Sequence, residues 1–404
     1  MSEEQSPELI KTGNPGGLNT AGWKIFPFAA IVGQEGMKAA LLANAVDPSI
    51  GGVLIRGEKG TGKTTVVRAL ADVLPRIEAV KGCPYHCDPR NPEVLHGECR
   101  QKIAAGSAEA GEIPIPLVEL PLNATEERVA GTIHLEETLK TGERHFEPGL
   151  LAAANRGILY IDEVNLLEDH LVDLILDAAA TGIHRVEREG FSLLHEASFI
   201  LIGTMNPEEG ELRPQFIDRF GLCASIKSVR NGDDRKEITR RRLDFEGDPP
   251  AFLALWEDAQ SDLRRQIIDA RSRLKEVRMS DELWNRVADL STRAEVQGHR
   301  ADLVMVKTAC AFAALNERSE VLAEDVREAA RLALPHRIAG TADDTPESSS
   351  EQLDKLIGGN NTGAVEDLSS ERGIDSGADE AEIMQVPGSA AAGSIVFDFL
   401  KKKT

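Results

Sequence analysis

The chain has 404 residues, 41% of them hydrophobic and 28% charged, which is typical of a globular protein with two or three domains. Its formal net charge of −21 argues against a general nucleic-acid-binding protein, whose surface would be basic. No apolar run has the length of a membrane span, and residues 1–5 lack the apolar core of a secretory signal, so we expect a cytoplasmic protein with reduced cysteines.

The first 46 residues lead into a predicted nucleotide-binding unit. Residues 1–22 are polar and rich in glycine, asparagine and proline, which predicts a flexible N-terminal arm. Ile31 and Val32 lie just before a helical pattern that runs from Gly36 to Val46. Either these two apolar side chains form the floor under a nucleotide base, or they only pack in the core.

A phosphate-binding loop lies between a predicted strand and a predicted helix. The apolar run 52–55 is typical of a buried parallel strand, and residues 65–74 have a helical pattern that ends at Pro75. Backbone N–H groups of the glycine-rich loop would face phosphate oxygens, Lys63 would reach the β- and γ-phosphates, and Thr64 would ligate Mg²⁺. The pattern G-x-x-x-x-G-K-[ST] therefore predicts a nucleotide site at Gly57, Glu58, Lys59, Gly60, Thr61, Gly62, Lys63, Thr64 and Thr65.

Residues 80–112 interrupt the α/β pattern with turn-forming residues, which is typical of an insertion. They contain Cys83, Cys87, His96 and Cys99. Three thiolates and one imidazole would suit a tetrahedral Zn²⁺ ion. An iron–sulfur cluster is a less natural alternative because one of the four ligands is a histidine. The remaining interpretation is unligated thiols in a flexible loop.

A strand that ends in two carboxylates follows about a hundred residues after the phosphate-binding loop. The run 157–163 is apolar until Asp162 and Glu163, as in the Walker B strand of P-loop NTPases. Asp162 would hold Mg²⁺ through water, and Glu163 would polarise the attacking water. The alternative is a strand that ends in two solvated acids.

The pattern of elements divides the chain into an α/β domain and an all-α domain. Another buried strand, at 198–207, ends in a polar residue that would face the γ-phosphate. Helical periodicity dominates from 234 to 334, whereas residues 341–400 hold thirteen acidic and two basic residues. We predict an α/β core at 23–232, an all-α domain at 233–338, and an acidic disordered tail with an apolar C-terminal peptide at 339–404.

These motifs occur in the order of the AAA+ ATPases, and their residues closely resemble those of the ATPase (I) subunit of magnesium chelatase. The resemblance is carried by F-P-F-x-x-I-V-G-Q-E, A-N-R-G-I-L-Y-I-D-E-V-N-L-L and G-T-M-N-P-E-E-G-E-L-R-P-Q, at 26–35, 154–167 and 203–215, and by shorter matches at 146–151, 185–190 and 218–222. It covers about residues 25–338 and excludes the acidic tail. It implies an AAA+ P-loop domain, with a parallel sheet flanked by helices, followed by a helical lid.

The resemblance also implies a function and three site residues. In that family ATP hydrolysis, with Mg²⁺, drives metal insertion into a tetrapyrrole (Mg into protoporphyrin IX) by a separate H-type subunit. The I subunit forms a ring, expected here to be a hexamer, and stacks on a D-type AAA+ subunit. By matched position, Asn206 is sensor 1 and orients the lytic water, Arg219 is an arginine finger that acts in trans, and Arg300 is sensor 2 and reaches the phosphates from the lid.

Several residues and segments are also compatible with other roles. Arg219 would otherwise pair with Asp218, and Arg300 would otherwise be a surface arginine. The segment from Glu126 to Leu139 and the hairpin at 185–190 match partner-facing insertions of the family, but both are also compatible with solvated charged faces. The motor would fit a cobaltochelatase equally well, because the metal is chosen by another subunit, and a general AAA+ remodeller is a second alternative. A DNA motor is opposed by the acidic charge and the lack of a basic, aromatic-rich stripe.

Overall fold

The computed structural model describes residues 24–133, 146–188, 191–210, 212–226, 229 and 231–338. The predicted arm at 1–22, the tail at 339–404, the hairpin turn at Glu189 and Gly190, and the segment 135–139 lie outside the described residues. Among the described residues, no helix is both long and apolar enough to cross a bilayer.

The described strands all lie in the first 226 residues, interspersed with helices, and the described residues from 231 onward form helices and short connections. In chain order the strands are β1 (Val53–Gly57), β2 (Ile77–Val80), β3 (Ala110–Ile113), β4 (Leu117–Leu120), β5 (Gly131–Ile133), β6 (Phe146–Pro148), β7 (Ile158–Ile161), β8 (Ile183–Arg188), β9 (Phe191–Glu196), β10 (Ile200–Met205) and β11 (Leu222–Ile226). The helices are α1 (Glu35–Val46), α2 (Lys63–Val73), α3 (Gly97–Ala104), α4 (Glu126–Ala130), α5 (Leu150–Ala153), α6 (Asp169–Thr181), α7 (Pro214–Ile217), α8 (Gly232–Gly247), α9 (Pro249–Arg273), α10 (Asp281–Arg293), α11 (Arg300–Leu315) and α12 (Ala323–Ala333).

The central sheet is parallel and has the strand order β11-β1-β10-β7-β4. All residues of β7 and β10 are buried, as expected for parallel strands that are covered by helices on both faces. Successive side chains point to opposite faces, so Val53 and Ile55 pack with α1, α2 and the later helices, whereas Leu54 packs with α6 on the other face. The predicted α/β class, with a parallel sheet flanked by helices and an all-α region after it, is confirmed.

The helices of the second half pack behind α1 rather than forming a detached unit. Ten of the twelve residues of α1 are buried, and eight of the ten share one hydrophobic cluster with α9, α11 and α12. Arg271 of α9 donates two hydrogen bonds to the carbonyl oxygen of Ala45, and Lys307 of α11 donates to that of Ser49. The helical region is therefore fixed near the start of β1, at the amino end of the parallel strands.

Helix α9 begins earlier than its periodicity predicts. Residues 256–274 carry the apolar repeat, but the helix starts at Pro249, because Asp248 caps it by accepting a hydrogen bond from the Ala251 N–H at 3.1 Å. Proline at the first helical position costs no hydrogen bond.

The carboxyl ends of the parallel strands form one edge of the sheet, and their amino ends form the opposite edge, with different chemistry. The phosphate-binding loop, Asp162 and Asn206 follow the carboxyl ends of β1, β7 and β10 and therefore lie at one edge. Gly51 and Gly221 precede β1 and β11 at the opposite edge, where the Gly221 N–H donates to the Gly51 carbonyl oxygen at 3.2 Å. A side chain on Gly221 would collide with the carbonyl oxygen of Ile50, so this close approach requires glycine.

Candidate functional site

The phosphate-binding loop is a turn between β1 and α2 that is held by Lys63. Gly60 and Gly62 have φ values of 83° and 82°, a left-handed conformation that glycine adopts without strain. The Lys63 ammonium donates to the carbonyl oxygens of Gly57 at 2.6 Å and Glu58 at 3.1 Å. Partial burial lowers the pKa of Lys63, while nearby carboxylates oppose this effect. The lysine thus lies within the loop, close to the acids of the neighbouring strands.

A chain of hydroxyl groups links the predicted Mg²⁺ ligands Thr64 and Asp162. The Thr64 hydroxyl lies 3.1 Å from the Tyr160 hydroxyl, which donates to Asp162 Oδ1 at 2.8 Å. Thr204 donates to the same carboxylate oxygen at 2.6 Å. Burial raises the pKa of Tyr160, so it remains a protonated donor. The hydroxyl and carboxylate oxygens are hard ligands of the kind that Mg²⁺ prefers.

Glu163 and Asn206 lie at the same edge on adjacent strands. Glu163 has φ 53°, and its N–H donates to the Thr204 hydroxyl at 3.1 Å. Burial raises the pKa of Glu163, and the neighbouring Glu209 carboxylate raises it further. Asn206 is 4% exposed and accepts a hydrogen bond from the Glu208 N–H at 3.3 Å. The structure therefore brings both residues to the loop's edge; their catalytic roles stay predictions.

Other residues of the predicted nucleotide site have less distinctive surroundings. Lys59 is 80% exposed and lies 3.9 Å from the Glu209 carboxylate, and Thr61 donates to the Glu58 carbonyl oxygen at 2.9 Å. Ile31 and Val32 are half-buried, and Ile31 packs against the main hydrophobic cluster. Core packing is thus observed for Ile31, and a base-binding role for the pair stays a prediction.

Arg219 lies at the opposite edge of the sheet and does not pair with Asp218. Its guanidinium donates to Asp177 at 2.7 Å and lies 3.4 Å from Asp173, both on α6. The side chain is 37% exposed, and the ion-pair alternative with its sequence neighbour is wrong because Asp218 pairs with Arg337 instead. Arg219 therefore faces outward, away from the phosphate-binding loop of its own chain.

Arg300, at the first turn of α11, lies beside Arg219. Its guanidinium donates to the Arg219 carbonyl oxygen and lies next to Gly51, which precedes β1. The phosphate-binding loop begins at the other end of β1, and a five-residue strand spans roughly 15 Å. The expectation that Arg300 reaches phosphates is therefore not met within one chain, because the helical region docks at the amino edge of the sheet.

Arg337 is a functional candidate that the sequence did not indicate. Its side chain is 1% exposed, and it donates to the Asp218 carboxylate and to the carbonyl oxygens of Asp218, Phe220 and Gly221 at 2.6–2.9 Å. His336 adds a hydrogen bond to the Phe220 carbonyl oxygen at 3.1 Å. These contacts hold the loop that carries Arg219, but they join residues more than a hundred positions apart, and no local motif predicts them.

The four predicted metal ligands of the insertion converge. One side-chain atom from each of Cys83, Cys87, His96 and Cys99 lies within 4.8 Å of the other three. The three thiols are buried, with 1–8% of the residue exposed, and His96 is half-buried. A shared hydrogen bond lowers the pKa of the Cys83 thiol and raises that of Cys87, and burial raises the pKa of Cys99 to about 11. The insertion contains helix α3 and is closed by the antiparallel pair β2–β3, and metal binding by its four side chains stays a prediction.

Comparison with known proteins gives a consistent result. A family model described as "Magnesium chelatase, subunit ChlI" matches residues 132–215, and one described as "AAA lid domain" matches residues 285–356. The chain is 50% identical over 333 residues to a magnesium-chelatase subunit ChlI homolog of Methanocaldococcus jannaschii, which covers 82% of the chain and 91% of the relative.

Two further similarities bear on family and fold. Magnesium-chelatase subunit ChlI of Nostoc sp. is 49% identical over 319 residues, covering 78% of the chain and 84% of the relative. A crystal structure from Cytophaga hutchinsonii is 18% identical, with a TM-score of 0.56 over 82% of the chain and 91% of that structure, and it shares the fold. The two ChlI relatives, at 49–50% identity, favour a magnesium-chelatase type of subunit over the cobaltochelatase and general remodeller alternatives.

Proposed function

The chain belongs to the magnesium chelatase subunit ChlI family of AAA+ ATPases, and we propose that its ATP hydrolysis drives Mg²⁺ insertion into protoporphyrin IX by a separate catalytic subunit. The observation that carries the proposal is the continuous chain from Thr64 through Tyr160 to Asp162, with Lys63 and Glu163 at the same edge. It joins a phosphate-binding group, two ligands for the nucleotide's Mg²⁺ and a base in one place.

Each residue of this edge has a distinct part in the proposed hydrolysis. Lys63 and the loop N–H groups bind the phosphates. Thr64 and Asp162 would hold the Mg²⁺ of MgATP, which would supply positive charge to neutralise the phosphates. Glu163 polarises the attacking water, and the Asn206 amide orients it. Tyr160 and Thr204 fix the Asp162 carboxylate by donating to it.

The active site is completed by another subunit in this proposal. Arg219 and Arg300 lie together at the edge opposite the phosphate-binding loop, so they serve a nucleotide bound by a neighbouring chain. A closed ring, which we propose to be a hexamer, gives every loop such a neighbour. The further partners we propose are a D-type AAA+ subunit and an H-type tetrapyrrole-binding subunit, acting with this chain in the cytoplasm.

A metal in the insertion is a separate part of the proposal. Cys83, Cys87, His96 and Cys99 converge within 4.8 Å, and the three thiols are buried, a set that suits Zn²⁺ or an iron–sulfur cluster. Its neighbours Asn155 and Ser198 precede β7 and β10, so it lies toward the amino ends of these strands, away from the phosphate-binding loop.

The function is tested by reconstitution and by capture. Combined with D-type and H-type subunits of a related chelatase, the chain should support ATP-dependent conversion of protoporphyrin IX to its magnesium form. Porphyrin fluorescence measures this conversion. Glu163→Gln should trap ATP and, as bait with ATP, retain both subunits from a native extract, whereas Lys63→Ala should retain neither. ATP hydrolysis without magnesium insertion would contradict the chelatase function and leave the ATPase intact.

The acid limb of the ATPase pH profile should depend on Glu209. Burial and the Glu209 charge both favour protonated Glu163, so the acid limb lies above the ordinary carboxyl pKa. Glu209→Gln removes one of these effects, lowers the pKa of Glu163, and is expected to move the limb to lower pH. The control is Glu208→Gln, an exposed neighbour. Identical shifts in both variants would argue against Glu163 as the base.

A further inference from the structure

We infer that the metal of the insertion is one tetrahedral Zn²⁺ ion, and that it fastens the insertion to the foot of the β8–β9 hairpin, the end of β9 at His195 and Glu196. This inference rests on the metal site proposed above. The spacing of the ligand atoms distinguishes zinc from an iron–sulfur cluster, and the contacts of the residues between the ligands give the ion a mechanical role.

The ligand atoms have the spacing of a single ion's coordination shell. Cys83 Sγ lies 3.5 Å from Cys87 Sγ and 3.5 Å from His96 Nδ1, and His96 Nδ1 lies 3.2 Å from Cys99 Sγ. Zn–S bonds of about 2.3 Å in a tetrahedron place neighbouring ligands about 3.8 Å apart. Four atoms within 4.8 Å of one another therefore surround one ion with only small side-chain adjustments.

The same spacing disfavours an iron–sulfur cluster. A cluster places several iron and sulfide atoms between its protein ligands, so the cysteine sulfurs are held much farther apart than around one ion. Here the protein ligands nearly touch, and one of them is an imidazole. The space and the ligand set both fit a mononuclear site.

The backbone holds these ligands in place from two directions. His86 has φ 49°, and its N–H donates to the Cys83 carbonyl oxygen at 3.2 Å, which turns Cys87 back toward Cys83. His96 precedes helix α3, and Cys99 lies in its first turn, so both face the same side. A tight turn followed by a short helix presents two pairs of ligands to one point.

The residues between the ligands are attached to the hairpin. The Tyr85 ring packs between the rings of His96 and His195, with centroids 4.7 Å and 5.2 Å apart. The Leu95 N–H donates to the Glu196 carboxylate at 3.2 Å. His195 and Glu196 end strand β9, so the segment that carries His96 is anchored to the foot of the hairpin.

A second attachment leads to the start of β7, the strand that precedes Asp162. Asn155 donates to the Tyr85 carbonyl oxygen at 2.7 Å, and Arg156 donates to the His86 carbonyl oxygen at 3.0 Å. Asn155 also accepts a hydrogen bond from the Ser198 N–H at 3.0 Å, just before β10. Ion loss would thus free the Tyr85–His86 turn, which is the common partner of the hairpin and of the start of β7.

Metal analysis and Co²⁺ substitution of the full chain test the site. We expect about one zinc per chain and no acid-labile sulfide, and we expect Co²⁺ to give tetrahedral d–d and thiolate charge-transfer bands. Cys87→Ser should lose the metal and the bands, whereas Cys310→Ser, a half-buried cysteine of α11 outside the cluster, should keep both. His96→Cys should retain Co²⁺ with stronger charge transfer, which identifies His96 as a ligand without removing the site.

Hydrogen exchange of the wild-type chain tests the mechanical role. Removing zinc with a chelator should speed amide exchange in strands β8 and β9 at least several-fold while leaving helix α2 unchanged, and added Zn²⁺ should reverse the effect. Stoichiometric iron with sulfide would overturn zinc but keep a metal site. No binding of Zn²⁺ or Co²⁺ would overturn both this inference and the metal proposal, and unchanged exchange in the hairpin would overturn the fastening role. ATP hydrolysis, measured in parallel, separates these outcomes from the ATPase assignment.

Discussion

Replacing Arg219 with alanine is expected to lower ATP turnover about 10³-fold or more, because an arginine finger contributes that much by stabilising transition-state charge. ATP binding should be unchanged, since the guanidinium is paired with Asp173 and Asp177 rather than with the phosphate-binding loop of its own chain. Arg300→Ala should have the same pattern, because Arg300 holds the Arg219 carbonyl oxygen at the same edge. Steady-state ATPase rates and equilibrium binding of a fluorescent ATP analogue measure the two effects separately.

Mixed rings decide whether each arginine acts on its own nucleotide or on a neighbour's. Arg300→Ala chains keep an intact phosphate-binding loop but lack Arg300, and Lys63→Ala chains keep both arginines but lack the phosphate-binding lysine. Neither variant is therefore active alone. If Arg300 acts in trans, mixing them should create interfaces with an intact loop on one side and both arginines on the other, and turnover should reappear. If Arg300 serves its own chain, no interface is complete and the mixture stays inactive. The same mixture with Arg219→Ala is the parallel test of the finger.

The parts of the site that sequence predicted are those that depend on local order along the chain. Lys63 and Thr64 begin the helix that follows β1, Asp162 directly follows β7, and parallel strands bring their carboxyl ends to one edge whatever the rest of the fold does. Tyr160 was missed although it lies two residues before Asp162 and shares its face. A tyrosine in an apolar strand is most simply explained by packing, and only the contact with Thr64, 96 positions away, shows its polar role.

The parts that sequence could not predict depend on how distant elements dock. Arg300 matches a motif, but its position is set by the packing of α11 against α1, which carries it to the amino edge of the sheet. In the insertion, the ligand types were evident, whereas their convergence requires the left-handed turn at His86 and the start of helix α3. Arg337 belongs to no motif, and its importance comes entirely from the loop that it contacts.

Arg337→Ala is expected to lower the free energy of unfolding by about 3–5 kcal/mol, because it leaves several carbonyl oxygens of the Asp218–Gly221 loop without their donor. Each unsatisfied buried group costs about 1–3 kcal/mol, and relaxation of the loop recovers part of the sum. The free energy of unfolding of Arg337→Lys should lie between those of the wild type and Arg337→Ala, since one ammonium cannot reproduce the planar fork of the guanidinium. Urea unfolding followed by circular dichroism measures the change.

The control for this prediction is Arg265→Ala, because Arg265 is 69% exposed and its ion pair with Asp262 is a surface pair. Such pairs contribute less than about 1 kcal/mol, so its unfolding midpoint should barely move. In Arg337→Lys rings that remain folded, kcat should fall while KM for ATP stays near that of the wild type. The disturbed loop presents Arg219 to the neighbouring chain and does not bind the nucleotide of its own chain. A raised KM with unchanged kcat would mean that Arg337 stabilises the chain without positioning the finger.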